Sequence, residues 1–247
     1  MGKPKIKFDT KSESPEQVRE LGNKKKFHPQ DLHPLQPKSK KQEEFLHAFF
    51  SQIPITLQKG SAGTGKSYLA VHAALSEVFS NDTPFDRLVI VRSAVETRNI
   101  GFLPGTSDEK AEPYEAPFRE IVDAVVKYNK SYDNLKALGY LDFMLSSFVR
   151  GLTLDNTILV IEECQNMDQP ELLSILTRIG VNSKIVLCGD SKQDDLFRQR
   201  HKSGFGYLEK LMENIDFESK AVIEYGIDDI VRSDLVKKIL IADSKIN

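Results

Sequence analysis

Apolar positions along this chain follow two alternating rhythms. Short, nearly unbroken apolar runs rich in β-branched residues predict strands over 53–59, 87–91, 158–162, 184–188 and 220–224. Between them, longer stretches with apolar residues three and four apart predict helices over 40–51, 66–79, 169–179, 204–213 and 233–243. Strand and helix in alternation predict an α/β domain whose parallel sheet is covered by helices on both faces. Asp168 and Pro170 suit the cap and first turn of the helix at 169. The rhythm breaks off over 94–147. There the expectation is a helical excursion at about 105–147, with a helix near Tyr114–Val122 and an apolar stripe of Ile121, Val122, Val125 and Val126 read as packing.

The first strand–helix junction carries chemistry. Gly60-Ser61-Ala62-Gly63-Thr64-Gly65-Lys66-Ser67 fits G-x-x-x-x-G-K-[ST], a phosphate-binding loop, and it lies between the strand and the helix that this motif requires. Glycines let the backbone curl so that successive N–H groups face phosphate oxygens, and the following helix N-terminus adds its dipole. Lys66 is expected to reach the β- and γ-phosphates, and the Ser67 hydroxyl to hold Mg²⁺. Gly60 through Tyr68 are taken as the nucleotide-binding run.

The run Thr157–Ile161 ends in Glu162-Glu163, which places two carboxylates at the C-terminal end of a strand, where open α/β sheets bind ligands. One carboxylate can hold Mg²⁺ and the next can deprotonate an attacking water. Glu162 is assigned to the metal and Glu163 to the base; a strand that simply ends in solvated acids is the plainer alternative. A third run, Lys184–Cys188, ends in Gly189-Asp190-Ser191-Lys192-Gln193. The Gln193 amide could reach a γ-phosphate or its water, or the segment could be an ordinary turn.

Together these segments resemble a PhoH-like ATPase, a single-domain relative of the superfamily-one helicases. The resemblance runs from about Gln42 to Leu240. Val91-Arg92-Ser93-Ala94-Val95-Glu96 resembles R-P-A-V-E, and Ile100 to Gly105 resembles L-G-F-L-P-G. Arg150-Gly151-Leu152-Thr153 resembles R-G-R-T, and Ile161 to Asn166 resembles I-L-D-E-A-Q-N. Gly189 to Leu196 resembles G-D-P-S-Q-I-D-L, and Asp229-Ile230-Val231-Arg232 resembles D-V-V-R. Glu162 for Asp, Ser93 for Pro, Cys164 for Ala and Leu152 for Arg depart from the family pattern.

The resemblance implies a single RecA-like P-loop NTPase domain over 39–247. Its implied activity is Mg²⁺-dependent ATP hydrolysis coupled to RNA or single-stranded DNA. It makes Gln42 an adenine reader, Gln193 a γ-phosphate sensor and Arg232 a finger that reaches a neighbour's nucleotide. Arg232 could instead pair with Asp228 or Asp229. It also implies a homo-oligomer, with a hexameric ring as the family form, and shortened, divergent copies of the family occur in bacteriophages. Arg92, Arg98 and Arg150 could face a nucleic-acid strand or a neighbouring subunit. An ATP- and RNA-binding module without turnover, or a P-loop kinase of a small substrate, are the alternatives.

Charge divides the chain. Residues 1–41 carry 11 Lys/Arg against 5 Asp/Glu, or +6, while the remaining 206 carry 23 against 31, or −8, for the net −2. Residues 1–38, basic and containing five prolines, read as an arm that touches nucleic-acid phosphates or straps onto the acidic domain. No apolar run approaches a membrane span and the start lacks an apolar signal core, so a cytoplasmic protein, bacterial or phage-encoded, is expected. Cys164 and Cys188 are too few for a disulfide framework or zinc site, and the five histidines show no metal-ligand spacing.

Overall fold

Ile158 and Val160 pack into one apolar cluster and Leu159 and Ile161 into another, so one strand feeds two cores on opposite sides of a sheet. That division organises the chain. The computed structural model describes residues 26–51, 53–93, 107–190 and 204–243. Its sheet contains β1 (Ile55–Gly60), β2 (Arg87–Arg92), β3 (Leu141–Leu145), β4 (Thr157–Glu162), β5 (Lys184–Gly189) and β6 (Lys220–Tyr225). The order is β3-β2-β4-β5-β1-β6, with every pairing parallel. β4 and β5 are buried at every position, as strands covered on both faces must be.

One face is covered by α1 (Lys40–Phe50), α2 (Lys66–Phe79), α3 (Ser107–Val125) and α4 (Ser131–Ala137), through Phe45, Phe49, Leu75, Phe118, Val122 and Tyr132. The other is covered by α5 (Gln169–Leu176) and α6 (Phe205–Asn214), through Leu172, Ile175, Leu208 and Met212. α7 (Asp234–Asp243) follows β6. Ser39 caps α1 by accepting the Gln42 N–H, and Asp168 caps α5 by accepting the Glu171 N–H at 2.8 Å. The α/β fold with one parallel sheet is thus as the alternating pattern predicts.

Two differences from the sequence expectation have physical causes. The excursion is not wholly helical: Leu141, Phe143 and Leu145 alternate inward and pair with β2, forming an edge strand at Leu141–Leu145. Asp142 interrupts the apolar run, which hid a period-two pattern only five residues long. The second difference is at the front of the domain. Residues 26–38, expected in the arm, are part of the folded body. Phe27 is buried and stacks on Phe79 at 5.2 Å between ring centroids, with the Tyr140 ring edge-on at 5.6 Å. Leu32 is buried and bridges Val126, and the His33 N–H donates to the Val125 carbonyl at 2.8 Å. Burying Phe27 and Leu32 contributes about 4 kcal/mol together, which outweighs the polar character of the surrounding segment.

Candidate functional site

Strand parity builds the site. In β4 the residues that face α2 are Ile158, Val160 and therefore Glu162, and in β5 they are Val186 and Cys188. The central order β4-β5-β1 sets the ends of these strands beside the loop that leaves β1. That loop enters α2 through Gly63 and Gly65, both with positive φ, and Gly65 stands at the N-cap with φ 84°. Gly60 has φ 123°, and a Cβ there would lie 2.1 Å from the Tyr225 carbonyl oxygen. Only glycine lets β1 turn this close to β6.

Ser67, in the first turn of α2, donates its hydroxyl proton to Glu162 Oε2 at 2.9 Å. Glu162 is 4 % exposed, and its other oxygen, Oε1, has no hydrogen-bond partner among the described residues. Burial, reinforced by the neighbouring Glu163 charge, pushes the Glu162 carboxyl up to about 7, against the pull of the Ser67 hydroxyl and the Cys188 thiol. A hydroxyl and a carboxylate with a spare, buried oxygen form a donor set suited to a hard cation such as Mg²⁺. No cluster of three His, Cys, Asp or Glu side chains among the described residues could hold a metal by itself.

Lys66 Nζ donates to the carbonyls of Gly60 at 2.7 Å and Ser61 at 2.9 Å, so its ammonium is held over the phosphate loop. Glu163 leaves β4 with φ 51° and ψ 43°, a left-handed conformation that few non-glycine residues adopt. Its carboxylate accepts from Gln165 Nε2. Gln165 Oε1 in turn accepts the Asp190 N–H, just past β5, at 3.1 Å.

A cleft of about 790 Å³ collects these groups. Ala62 to Tyr68, Glu162, Glu163, Cys188, Gly189 and Asp190 form its polar end. Its other end is walled by Pro34, Leu35, Gln36 and Lys38 from the segment before α1 and by Pro117 and Ile121 from α3. Sequence reading misses this wall, because it assigns residues 34–38 to the arm and Ile121 to packing. The strap is tied down by His72, whose Nε2 lies 2.7 Å from the His33 carbonyl oxygen, and by the Lys38 N–H, which donates to Gln42 Oε1 at 2.6 Å.

Of the residues expected at the site, Ala62 to Tyr68, Glu162, Glu163, Gln42 and Arg232 converge on the cleft, while Gly60 and Ser61 support it from behind through their carbonyls. Gln42 is buried rather than displayed: its Nε2 donates to the Thr64 carbonyl at 2.9 Å while its Oε1 takes Lys38. The expected adenine reader thus braces the phosphate loop with one donor and holds the segment before α1 with its acceptor. Arg232 has a defined place in the fold. It lies against its own chain's loop, since a Cβ on Gly63 would sit 2.8 Å from Arg232 Cγ, and the Val231 N–H donates to the Gly63 carbonyl at 3.0 Å. In the single chain Arg232 thus lines the cleft of its own chain. Asp229, the alternative partner, instead accepts the Gly226 N–H at 2.9 Å. Gln193 and Arg98 lie outside the described residues. Arg92 sits 5.8 Å from the Tyr114 ring centroid, and Arg150 is exposed after β3. Both cysteines are buried and free. No helix among the described residues is long and apolar enough to cross a membrane.

Known proteins resemble this chain in sequence and in fold. The chain is 34% identical over 189 residues to a PhoH-like protein of Bacillus subtilis, which aligns 76% of this chain with 57% of that protein. It is 32% identical over 207 residues to a PhoH-like protein of Synechocystis, covering 83% of this chain and 61% of the relative. Protein PhoH of Escherichia coli is 28% identical over 219 residues. The chain thus spans about three fifths of the length of the curated relatives it matches. Among solved structures, the large terminase of a thermophilic bacteriophage shares the fold, with a TM-score of 0.50 at 16% identity over 83% of this chain and 50% of that one. The PhoH-like protein family matches residues 34–243, which take in the strap, the phosphate loop, the paired glutamates and Arg232, and the chain belongs to that family.

Proposed function

We propose that this chain hydrolyses ATP with Mg²⁺ and couples hydrolysis to binding RNA or single-stranded DNA. One observation carries the reading: Ser67 and Glu162 meet beside the phosphate loop, with Glu162 Oε1 buried and unpaired among the described residues and Glu163 next in line. Lys66 exchanges the carbonyls of Gly60 and Ser61 for β- and γ-phosphate oxygens, and the loop N–H groups take the rest. Ser67 and Glu162 would hold Mg²⁺, which supplies charge neutralisation to the phosphates.

Glu163 orients a water molecule and accepts its proton as the water oxygen attacks the γ-phosphorus. The bond to the β-phosphate oxygen breaks, and ADP and phosphate leave. Arg232, at the rim of the same cleft, stabilises charge on the transferring group in cis. Assembly into a ring, implied by the family resemblance, is not needed to bring that arginine to the cleft. Gln193 retains its proposed role as a γ-phosphate sensor, and Gln42 that of base contact through its remaining N–H. The wall of Pro34, Leu35, Pro117 and Ile121 gives the base an apolar surface.

The nucleic-acid part of the reading rests on the family resemblance and on the +6 charge of residues 1–41. Phosphate release from ATP, measured with and without Mg²⁺ and with and without single-stranded RNA, tests it. Release that requires Mg²⁺ and rises with RNA is expected. ATP binding without release would favour a binding module, and release unaffected by RNA or single-stranded DNA would remove the coupling.

A further inference from the structure

Gln165 is fully buried, and its amide spans the gap between the ends of β4 and β5. The Asp190 N–H can only donate, so the atom facing it, at 3.1 Å, must be the amide oxygen. The amide NH₂ is thereby turned to the other side, where it donates to Glu163 Oε2. A side chain with one group of each kind is thus held in a single orientation by these two bonds. The packing around it is tight: a Cβ on Gly189 would lie 3.2 Å from Gln165 Oε1 and 2.7 Å from both Cys164 Sγ and Phe205 Cε2. Glu163 needs such a support, because its left-handed backbone is one that a glutamate does not adopt by preference.

We propose that Gln165 is a positioning residue for hydrolysis. It holds Glu163 Oε2 so that Oε1 is the oxygen presented to water, and it ties that carboxylate to the backbone where the chain leaves β5. The proposal rests on the hydrolytic reading above, with Glu163 as the base. A leucine or methionine at 165 keeps the volume but removes the hydrogen bonds to Glu163 and to the Asp190 N–H. A glutamate keeps the length and the acceptor for the Asp190 N–H, and replaces the donor to Glu163 with a like charge. The separation of these two effects shows which half of the bridge matters.

The test is steady-state phosphate release from Mg²⁺–ATP by the full chain, alongside the affinity for a fluorescent, non-hydrolysed ATP analogue. For Gln165→Met, kcat should fall about 10- to 100-fold, the loss expected when a reacting group is displaced by about 1 Å, while the analogue binds within about threefold of wild type. Gln165→Glu should lose at least as much kcat, and it provides the measurement if the methionine variant does not fold. The decisive readout is the double variant. In a Glu163→Gln background, Gln165→Met should change the residual rate by less than about twofold, because a residue acting only through Glu163 has nothing left to position. A kcat within about twofold of wild type for the folded single variants would overturn the proposal, as would the same fold loss in the Glu163→Gln background. A wild-type chain that binds ATP but releases no phosphate overturns the hydrolytic reading itself, and this proposal with it, and is told apart by the wild-type control alone.

Discussion

Ser67 and Glu162 are 95 positions apart in the chain, yet the serine hydroxyl donates to the glutamate carboxylate at 2.9 Å. The contact joins the first turn of the helix after the phosphate loop to the last residue of β4. It exists because β4 and β1 flank β5 in one parallel sheet, and because position 162 falls on the α2 side of its strand.

The Glu162 carboxyl has a measurable consequence for stability. Its folded value, about 7, lies above the ordinary 4.5, so the folded chain holds this proton more tightly than the unfolded chain does. The stabilisation is complete below pH 4.5 and is lost as the pH rises through 7, amounting to about 3 kcal/mol across that window. In buffer without divalent cations, the wild-type Tm should decline from pH 4.5 to 7 more steeply than that of Glu162→Gln. Parallel Tm profiles for the two proteins would show that Glu162 is not the group responsible.

Lys66→Ala should weaken ATP binding about 10- to 100-fold, the cost of one or two charge-assisted contacts to phosphate, and remove detectable turnover. Glu163→Gln should bind ATP as wild type does while kcat falls about 10²- to 10⁴-fold, since the shape is kept and the base is lost. Equilibrium titration with a fluorescent nucleotide, paired with phosphate release, separates the two phenotypes. Wild-type turnover by Glu163→Gln would move the base elsewhere.

Arg232 gives a sharper test because it lines the cleft of its own chain. Arg232→Ala should lower kcat by about 10³-fold or more if it acts as an arginine finger. If Arg232 acts on its own chain's nucleotide, mixing Arg232→Ala with Glu163→Gln protein should restore nothing. Recovery of activity on mixing would show that the residue works across a subunit interface.

The front of the domain separates a nucleic-acid role from a structural one. Removing residues 1–25 should weaken binding of single-stranded RNA and flatten its dependence on salt. Phe27→Ala should instead cost about 3 kcal/mol of stability, through the lost stack on Phe79 and the cavity left beside it. Denaturant unfolding and RNA titration at several salt concentrations decide both outcomes. Equal RNA affinity at every salt concentration would end the arm's proposed role.

Local chemistry in the sequence determined the phosphate loop, the order of alternating strands and helices, and the family. Each of these is written in contiguous residues: Gly60 to Ser67, the apolar runs of β1, β4 and β5, and the motifs around Glu162 and Arg232. The pairing of β3 on the sheet edge, the burial of Phe27 and Leu32, and the cleft wall from Pro34 to Lys38 were not legible. They depend on which distant surfaces needed covering, and a five-residue alternation or a proline-containing segment carries no sign of that. The same holds at the site. Sequence placed two glutamates side by side, but strand parity sent Glu162 toward Ser67, and the left-handed turn at Glu163 gave its carboxylate to Gln165. Arg232 shows the limit most plainly: the sequence names an arginine after β6, and only the packing of Val231 and Arg232 on Gly63 sets it at the rim of its own chain's cleft.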